Sequence, residues 1–233
     1  MAEGLALRGV SAGYGDTHVL EDVSLALGAG ESLSVIGRNG VGKSTLLETI
    51  MGHTTLHAGE ILLCGRRIER APAHERARAG LGYVPQEREI FPSLTVRENL
   101  EICARPGHWD AARVFELFPN LKERLDNAGT QLSGGEQQML AIARALMTNP
   151  SVLLMDEPTE GLAPVIVQAL AQVLARLRAA GGLSIVLVEQ NSRIALGFSE
   201  RTVVMDRGRI VYDGESERLR RDPELLARLI AAQ

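Results

Sequence analysis

Cysteine is nearly absent from this chain. The 233 residues hold only Cys64 and Cys103, in unrelated segments and without metal-ligand spacing. That excludes a disulfide-stapled scaffold and a cysteine-based zinc site, and two free thiols suit a reducing cytosol. Long apolar runs are missing as well. None approaches the roughly 18 residues needed to span a bilayer, so any service to a membrane is expected to go through a partner. The opening "MAEGLALRGV" has no apolar stretch behind a basic one, and no signal peptide is expected there. A basic excess is also lacking. The net charge of −4 argues against a nucleic-acid binder with an overall basic surface, and no nucleic-acid partner is expected. There is no repeat of solenoid length and no low-complexity tract.

What remains is the composition of a globular protein, 45% hydrophobic, in a chain long enough for one large domain with a sizeable core. Three short buried strands stand out: "SLSVIG" (Ser32–Gly37), "SVLLMDEP" (Ser151–Pro158) and "LSIVLVEQ" (Leu183–Gln190). Between the last two, "PVIVQALAQVLARLRAAGG" carries apolar residues at helical spacing and stops at a glycine pair. Strand, helix, strand at this spacing predicts a parallel sheet with helical cover, hence an α/β fold. The first 30 residues and "GEILLCGRRI" alternate in short glycine-punctuated segments and predict an antiparallel β portion; "TVVMDRGRIVYDGE" predicts a hairpin turning at Arg207-Gly208. The stretch from about 87 to 147 reads as mostly helical, broken at Pro92, Pro106, Gly107 and Pro119, and is expected to be a helical subdomain inserted into a catalytic core of about 1–86 and 148–233.

The chemistry begins at Gly37-Arg38-Asn39-Gly40-Val41-Gly42-Lys43-Ser44-Thr45, which fits G-x-x-x-x-G-K-[ST] between a strand and a helix. Gly40 and Gly42 let the backbone turn its N–H groups inward, and with the following helix terminus they form an anion nest. Lys43 is placed to reach β- and γ-phosphates, and the Ser44 hydroxyl to ligate Mg²⁺. An ordinary glycine turn capped by lysine would not need this strand–loop–helix setting. At the end of the second strand stand Asp156 and Glu157. After a phosphate loop, the first acid is expected to help hold Mg²⁺ and the second to accept a proton from an attacking water. Acids at strand ends also serve as helix caps; it is the phosphate loop that gives this pair a reason to be catalytic.

"LSGGEQQMLAIARAL" opens on Ser133, with Glu136 three residues on as in a capping box. A well-capped amphipathic helix would explain most of it. Gly134 and Gly135, however, weaken a helix start, and they suit backbone N–H groups that must come close to an anion. A second anion-binding helix end suggests a nucleotide shared between two copies.

Over its whole length the chain resembles the ATP-binding cassette (ABC) ATPases, through "GRNGVGKST", "LSGGEQQ" and "SVLLMDEP" in that order. The resemblance implies a P-loop core binding ATP and Mg²⁺, with Gln86 of "YVPQ" as a glutamine near the metal and Tyr14 of "AGYG" as the aromatic that stacks on adenine. It also implies a head-to-tail dimer in which Ser133, Gly134, Gly135 and Glu136 of one subunit face the ATP of the other. Gln190 takes the place of the family's usual histidine; it can hydrogen-bond a phosphate oxygen but cannot become an imidazolium. Ala163 in "PTEGLAP" replaces a common aspartate. "DEPTEGLAP", "LVEQN", "GYVPQEREIFPSLTVRENL" and "LFPNLKERL" are similar to the ATP-binding subunits of importers for branched-chain amino acids and related amides. The implied partners are transmembrane permease subunits, a second cassette (identical or, more in keeping with this branch, a sister chain) and, indirectly, an external substrate-binding protein, at the cytoplasmic face of the inner membrane. Urea or a short amide as cargo, an export role, and a soluble cassette acting on DNA or the ribosome are the alternatives. An unrelated P-loop kinase would leave "LSGGE" without a role. Phe91 is expected either to contact a membrane subunit or to be core. His53, His57, His74 and His108 show no metal spacing.

Overall fold

A computed structural model describes residues 3–231. In chain order the strands are β1 (Glu3–Tyr14), β2 (Thr17–Gly28), β3 (Ser32–Ile36), β4 (Thr55–Leu63), β5 (Arg66–Arg67), β6 (Leu81–Val84), β7 (Val152–Asp156), β8 (Ser184–Val188), β9 (Arg201–Asp206) and β10 (Arg209–Glu215). The helices are α1 (Lys43–Met51), α2 (Ala73–Arg78), α3 (Val96–Glu101), α4 (Ala111–Leu117), α5 (Pro119–Lys122), α6 (Gly134–Met147), α7 (Pro164–Ala180), α8 (Ser192–Phe198), α9 (Ser216–Arg221) and α10 (Pro223–Ala231). None is long and apolar enough to cross a membrane.

Two sheets form, as expected. One is antiparallel, in the order β2-β1-β4-β5; the other runs β10-β9-β3-β8-β7-β6, parallel from β9 to β6, with β10 antiparallel at its edge. Every residue of β7 and β8 is buried. Such strands are covered on both faces, which is why they read as unbroken apolar runs. Their side chains alternate between two cores. Leu153, Met155, Ile185 and Leu187 point to one, with α6 and α7. Leu154, Val186 and Val188 point to the other, with α1 and the antiparallel sheet. Each fully buried Leu or Ile contributes about 1.5–3 kcal/mol, so the two cores fix the sheet, and the sheet fixes the loops at its carboxyl end.

The β9–β10 hairpin turns at Arg207 (φ 44°) and Gly208 (φ 74°), both left-handed as a two-residue turn requires. That turn joins the layers: Gly208 N–H donates to Val41 O of the phosphate loop at 2.9 Å, and Gly208 O accepts from Glu21 N–H of β2 at 3.0 Å. A Cβ at Gly208 would lie 1.9 Å from Val19 O, so only glycine lets the hairpin approach this closely.

Between β6 and β7 the chain is helical in pieces, joined by long irregular stretches. Two asparagines, Asn99 buried and Asn149 half-buried, hold these in place of helical bonds. Asn99 Nδ2 donates to the carbonyls of Phe91, Leu94 and Thr95. Asn149 Nδ2 donates to those of Arg105 and Trp109. Pro119, read as a break, sits at the first turn of α5, where its missing N–H costs nothing. The apolar residues of this segment, such as Phe118, Leu121 and Leu140, are continuous with the core around Leu153 and Leu174.

Candidate active site

The phosphate loop leaves β3 at Ile36 and enters α1 at Lys43. Gly40 (φ 80°) and Gly42 (φ 105°) take the left-handed backbone that folds the loop back on itself. α1 has no side-chain cap at its N-terminus, so its first N–H groups are left for an anion. A cavity of about 270 Å³ opens here, lined by Asn39, Lys43, Ser44, Thr45, Gln86 and Glu157 among others. The phosphate loop, Gln86 and Glu157 thus meet in one place, and Val19, which no motif marks, joins the wall.

Lys43 is 4% exposed and fully engaged. Its ammonium donates to the carbonyls of Gly37 (3.1 Å) and Arg38 (3.0 Å) and pairs with Glu157 Oε1 at 3.0 Å. Glu157 lies one residue beyond β7, with φ 43° and its N–H bonded to Val188 O. This left-handed residue, costly for a side chain that is not glycine, turns Glu157 into the cavity while Asp156 stays in the strand. The two neighbouring acids thus leave the strand in different directions, with the change of backbone direction at Glu157 itself.

Asp156 is 2% exposed, and its Oδ1 has no hydrogen-bond partner. Burial pushes its carboxyl up to about 6, against the Ser44 hydroxyl that bonds to it. A buried carboxylate oxygen without a donor, beside a hydroxyl at the mouth of a phosphate loop, is a hard-oxygen set that fits Mg²⁺, an ion that binds through one or two protein oxygens and keeps waters and phosphates for the rest. Gln86 reaches the same cavity and donates its side-chain amide to Glu160.

Glu157 also lines a second cavity, of about 360 Å³, with Thr159, Glu160, Glu189 and Gln190. Gln190 is exposed at the end of β8. The buried acid beside it is Glu189, 2% exposed, which accepts the Thr159 N–H at 3.2 Å. Sequence reasoning passed over Glu189 and Glu160, although their position in "LVEQN" and "DEPTEG", flanking assigned residues, was the available signal.

Tyr14 closes β1 with a 49% exposed ring. Its hydroxyl donates to Glu48 and lies 3.4 Å from Thr45 Oγ1 on α1. The ring therefore stands beside the phosphate-loop helix with its bulk open to solvent. Ser133, Gly134, Gly135 and Glu136 are not brought into either cavity. They begin α6 with the expected reciprocal cap: Glu136 N–H to Ser133 Oγ at 3.3 Å and Ser133 N–H to Glu136 Oε2 at 2.8 Å. Gly135 has a further reason to be glycine: a Cβ there would meet Ile166 Cγ2 of α7 at 2.7 Å. Ala163, at the start of α7, makes no side-chain cap bond.

Phe91 is 44% exposed, with the Arg144 guanidinium 4.7 Å from its ring centre. His57 stacks on His18 at 3.9 Å. No cluster of three or more metal-ligating side chains occurs among the described residues.

A phosphate cradle at the head of a parallel sheet, facing a strand-end acid pair, defines a P-loop nucleotide hydrolase. The ABC transporter family profile matches residues 20–160. The high-affinity branched-chain amino acid transport ATP-binding protein BraG of Pseudomonas aeruginosa is 41% identical over 226 residues, 95% of this chain and 97% of that one. The lipopolysaccharide export system ATP-binding protein LptB of Haemophilus influenzae is 34% identical, over 95% and 94%. A dimeric ATP-binding cassette solved in a post-hydrolysis state with ADP and Pi superposes with a TM-score of 0.79 at 27% identity, covering 91% of this chain and 98% of that one. The chain belongs to the ABC transporter family and is one of its ATP-hydrolysing subunits.

Proposed function

We propose that the chain is the ATPase motor of an importer for branched-chain amino acids or related amides, paired with a second cassette and seated on the cytoplasmic face of a membrane permease. The observation that carries its chemistry is the Lys43–Glu157 pair, 3.0 Å apart at the mouth of the phosphate loop. Without nucleotide, the lysine occupies the base. Phosphate oxygens arriving on the loop N–H groups offer Lys43 a doubly charged partner, and Glu157 is released. Its carboxylate then takes a proton from water as the water oxygen bonds to the γ-phosphorus and the bond to the bridging oxygen breaks. Gln190, across the second cavity from Glu157, donates its amide to a γ-phosphate oxygen. Tyr14 offers its exposed ring to the adenine. Asp156 and Ser44, with Gln86 beside them, would hold Mg²⁺, which neutralises charge developing on the β- and γ-oxygens.

The placement of Ser133–Glu136 away from their own chain's cavity supports a site completed in trans, where the N–H groups of Gly134 and Gly135 meet the ATP held by a second cassette. Such a site exists only on closure, so hydrolysis and closure are coupled. The 41% identity to a branched-chain amino acid transport ATP-binding protein supports that cargo over lipopolysaccharide, whose export-system relative stands at 34%.

Phosphate release by Glu157→Gln tests the base. The variant is expected to bind ATP and lose hydrolysis by about 10²–10⁴-fold, the range of a general base. Native turnover in this variant would remove Glu157 from that role.

A further inference from the structure

Glu189 is a buried acid that the chemistry above leaves unused. It stands between the two loops that chemistry needs. Its own backbone N–H donates to Val35 O of β3 at 3.1 Å, which ties it to the strand feeding the phosphate loop. Its Oε1 accepts the Thr159 N–H at 3.2 Å, two residues beyond Glu157. Its charged form is further supported by the Thr159 side chain and by the Asn191 backbone, on the far side of Gln190. An exposed loop residue with a polar side chain would serve equally well as surface. A carboxyl group sealed at 2% exposure, where desolvation is expensive, needs a compensating task.

We propose that Glu189 is a positioning residue for hydrolysis, a clamp whose carboxyl group holds the loop bearing Glu157 in register with the loop bearing Gln190. The inference rests on the roles proposed for those two residues. Both loops end parallel strands that are rigid up to Asp156 and Val188. Beyond those points the backbone leaves the ladder, and Glu157 adopts its left-handed conformation. A carboxyl oxygen accepting from Thr159 fixes the first loop just where the ladder stops doing so. Because Glu189 precedes Gln190 directly, the same anchor sets where that side chain leaves β8. The clamp touches neither the phosphate loop nor Asp156, so nucleotide affinity does not depend on it. It works by accepting hydrogen bonds at a fixed reach. Glutamine retains an acceptor at that reach, and aspartate, one methylene shorter, does not.

The test is steady-state ATP hydrolysis and fluorescent-nucleotide binding by Glu189→Ala, Glu189→Asp and Glu189→Gln, beside Glu157→Gln. Misplacement of a reacting group by about 1 Å can cost as much as 10²-fold. The expectation is therefore a kcat lowered about tenfold or more in Glu189→Ala and Glu189→Asp, with nucleotide affinity within about twofold of native. Glu189→Gln is expected to stay within about threefold of native kcat. Native kcat in Glu189→Asp overturns the clamp even if Glu189→Ala does not fold. Equal losses in Glu189→Gln and Glu189→Asp, or a fall in affinity matching the fall in kcat, overturn it too. The two levels separate cleanly. An inactive Glu157→Gln beside a fully active Glu189→Asp removes the clamp alone, whereas a fully active Glu157→Gln removes the base assignment on which the clamp rests.

Discussion

Lys43 shows how one side chain can hold a site in readiness. In a cavity where it is 4% exposed, its ammonium must be satisfied, and three oxygens do so: two loop carbonyls and Glu157. Breaking a buried pair by deleting one partner typically costs about 3–5 kcal/mol because the survivor stays buried and uncompensated. Lys43→Ala is thus expected to lower the stability of the nucleotide-free protein by an amount of that order, measured by urea unfolding, and to abolish ATP binding. A variant as stable as native would mean that Glu157 is compensated elsewhere. At Gln190 the expectation differs, because the residue is exposed and its side chain makes no hydrogen bond among the described residues. Gln190→Ala should leave stability within about 0.5 kcal/mol, keep ATP binding, and slow hydrolysis by about tenfold or more; native turnover would end its assignment to the γ-phosphate. These residues were legible because their motifs are contiguous. Glu189 and Glu160 were not, since what makes them matter is burial beside Thr159 and contact with Gln86, and neither is a property of local sequence.

The elements place these side chains, and α6 and α7 show how closely. Gly135 and Ile166 come from segments that sequence reading assigned to different tasks, yet the missing Cβ of one receives the side chain of the other. Gly135→Ala is expected to cost about 1–3 kcal/mol by overpacking, and Ile166→Ala on that background to restore part of the loss. The double-mutant cycle in urea would show a coupling of about 1 kcal/mol if the contact is real; additive effects would contradict it. β3, β7, β8, α7 and the Arg207-Gly208 hairpin are legible because each carries its own periodicity or turn signal, whereas the four-residue β6 (Leu81–Val84) is too short to show one. The stretch from 87 to 147 was harder. Its shape depends on Asn99 bonding to carbonyls of the turn before α3 and on Asn149 bonding to the carbonyls of Arg105 and Trp109 far back in the chain, so runs without helical hydrogen bonds are stable there, and no local pattern announces them.

At the scale of the whole molecule, two cores clamp a sheet whose carboxyl end carries the chemistry, and the stability of that arrangement should depend on pH through Glu189. Burial raises its carboxyl to about 7. A raised folded value means that the folded state holds the proton more tightly than the unfolded one. Stability is therefore full below the unfolded value of about 4.5 and falls as pH rises to about 7, by roughly 2–3 kcal/mol at 1.36 kcal/mol per unit. Urea midpoints of nucleotide-free protein between pH 5 and 8 should fall with this slope added to that of Asp156, whose buried carboxyl is also raised, to about 6, and Glu189→Gln should make the fall shallower by the Glu189 share; parallel slopes in the two proteins would contradict the assignment. The family and the P-loop fold could be read from sequence because three motifs stand in order between Gly37 and Pro158. Selectivity could not, because a motor binds ATP and its permease while other chains bind cargo. The most direct test of the importer role is therefore made in cells: uptake of labelled leucine, isoleucine and valine, beside urea and short amides, in a strain lacking this chain. The prediction is that branched-chain uptake is lost and is restored by the native chain but not by Lys43→Ala. Undiminished uptake of all these compounds in that strain would contradict it.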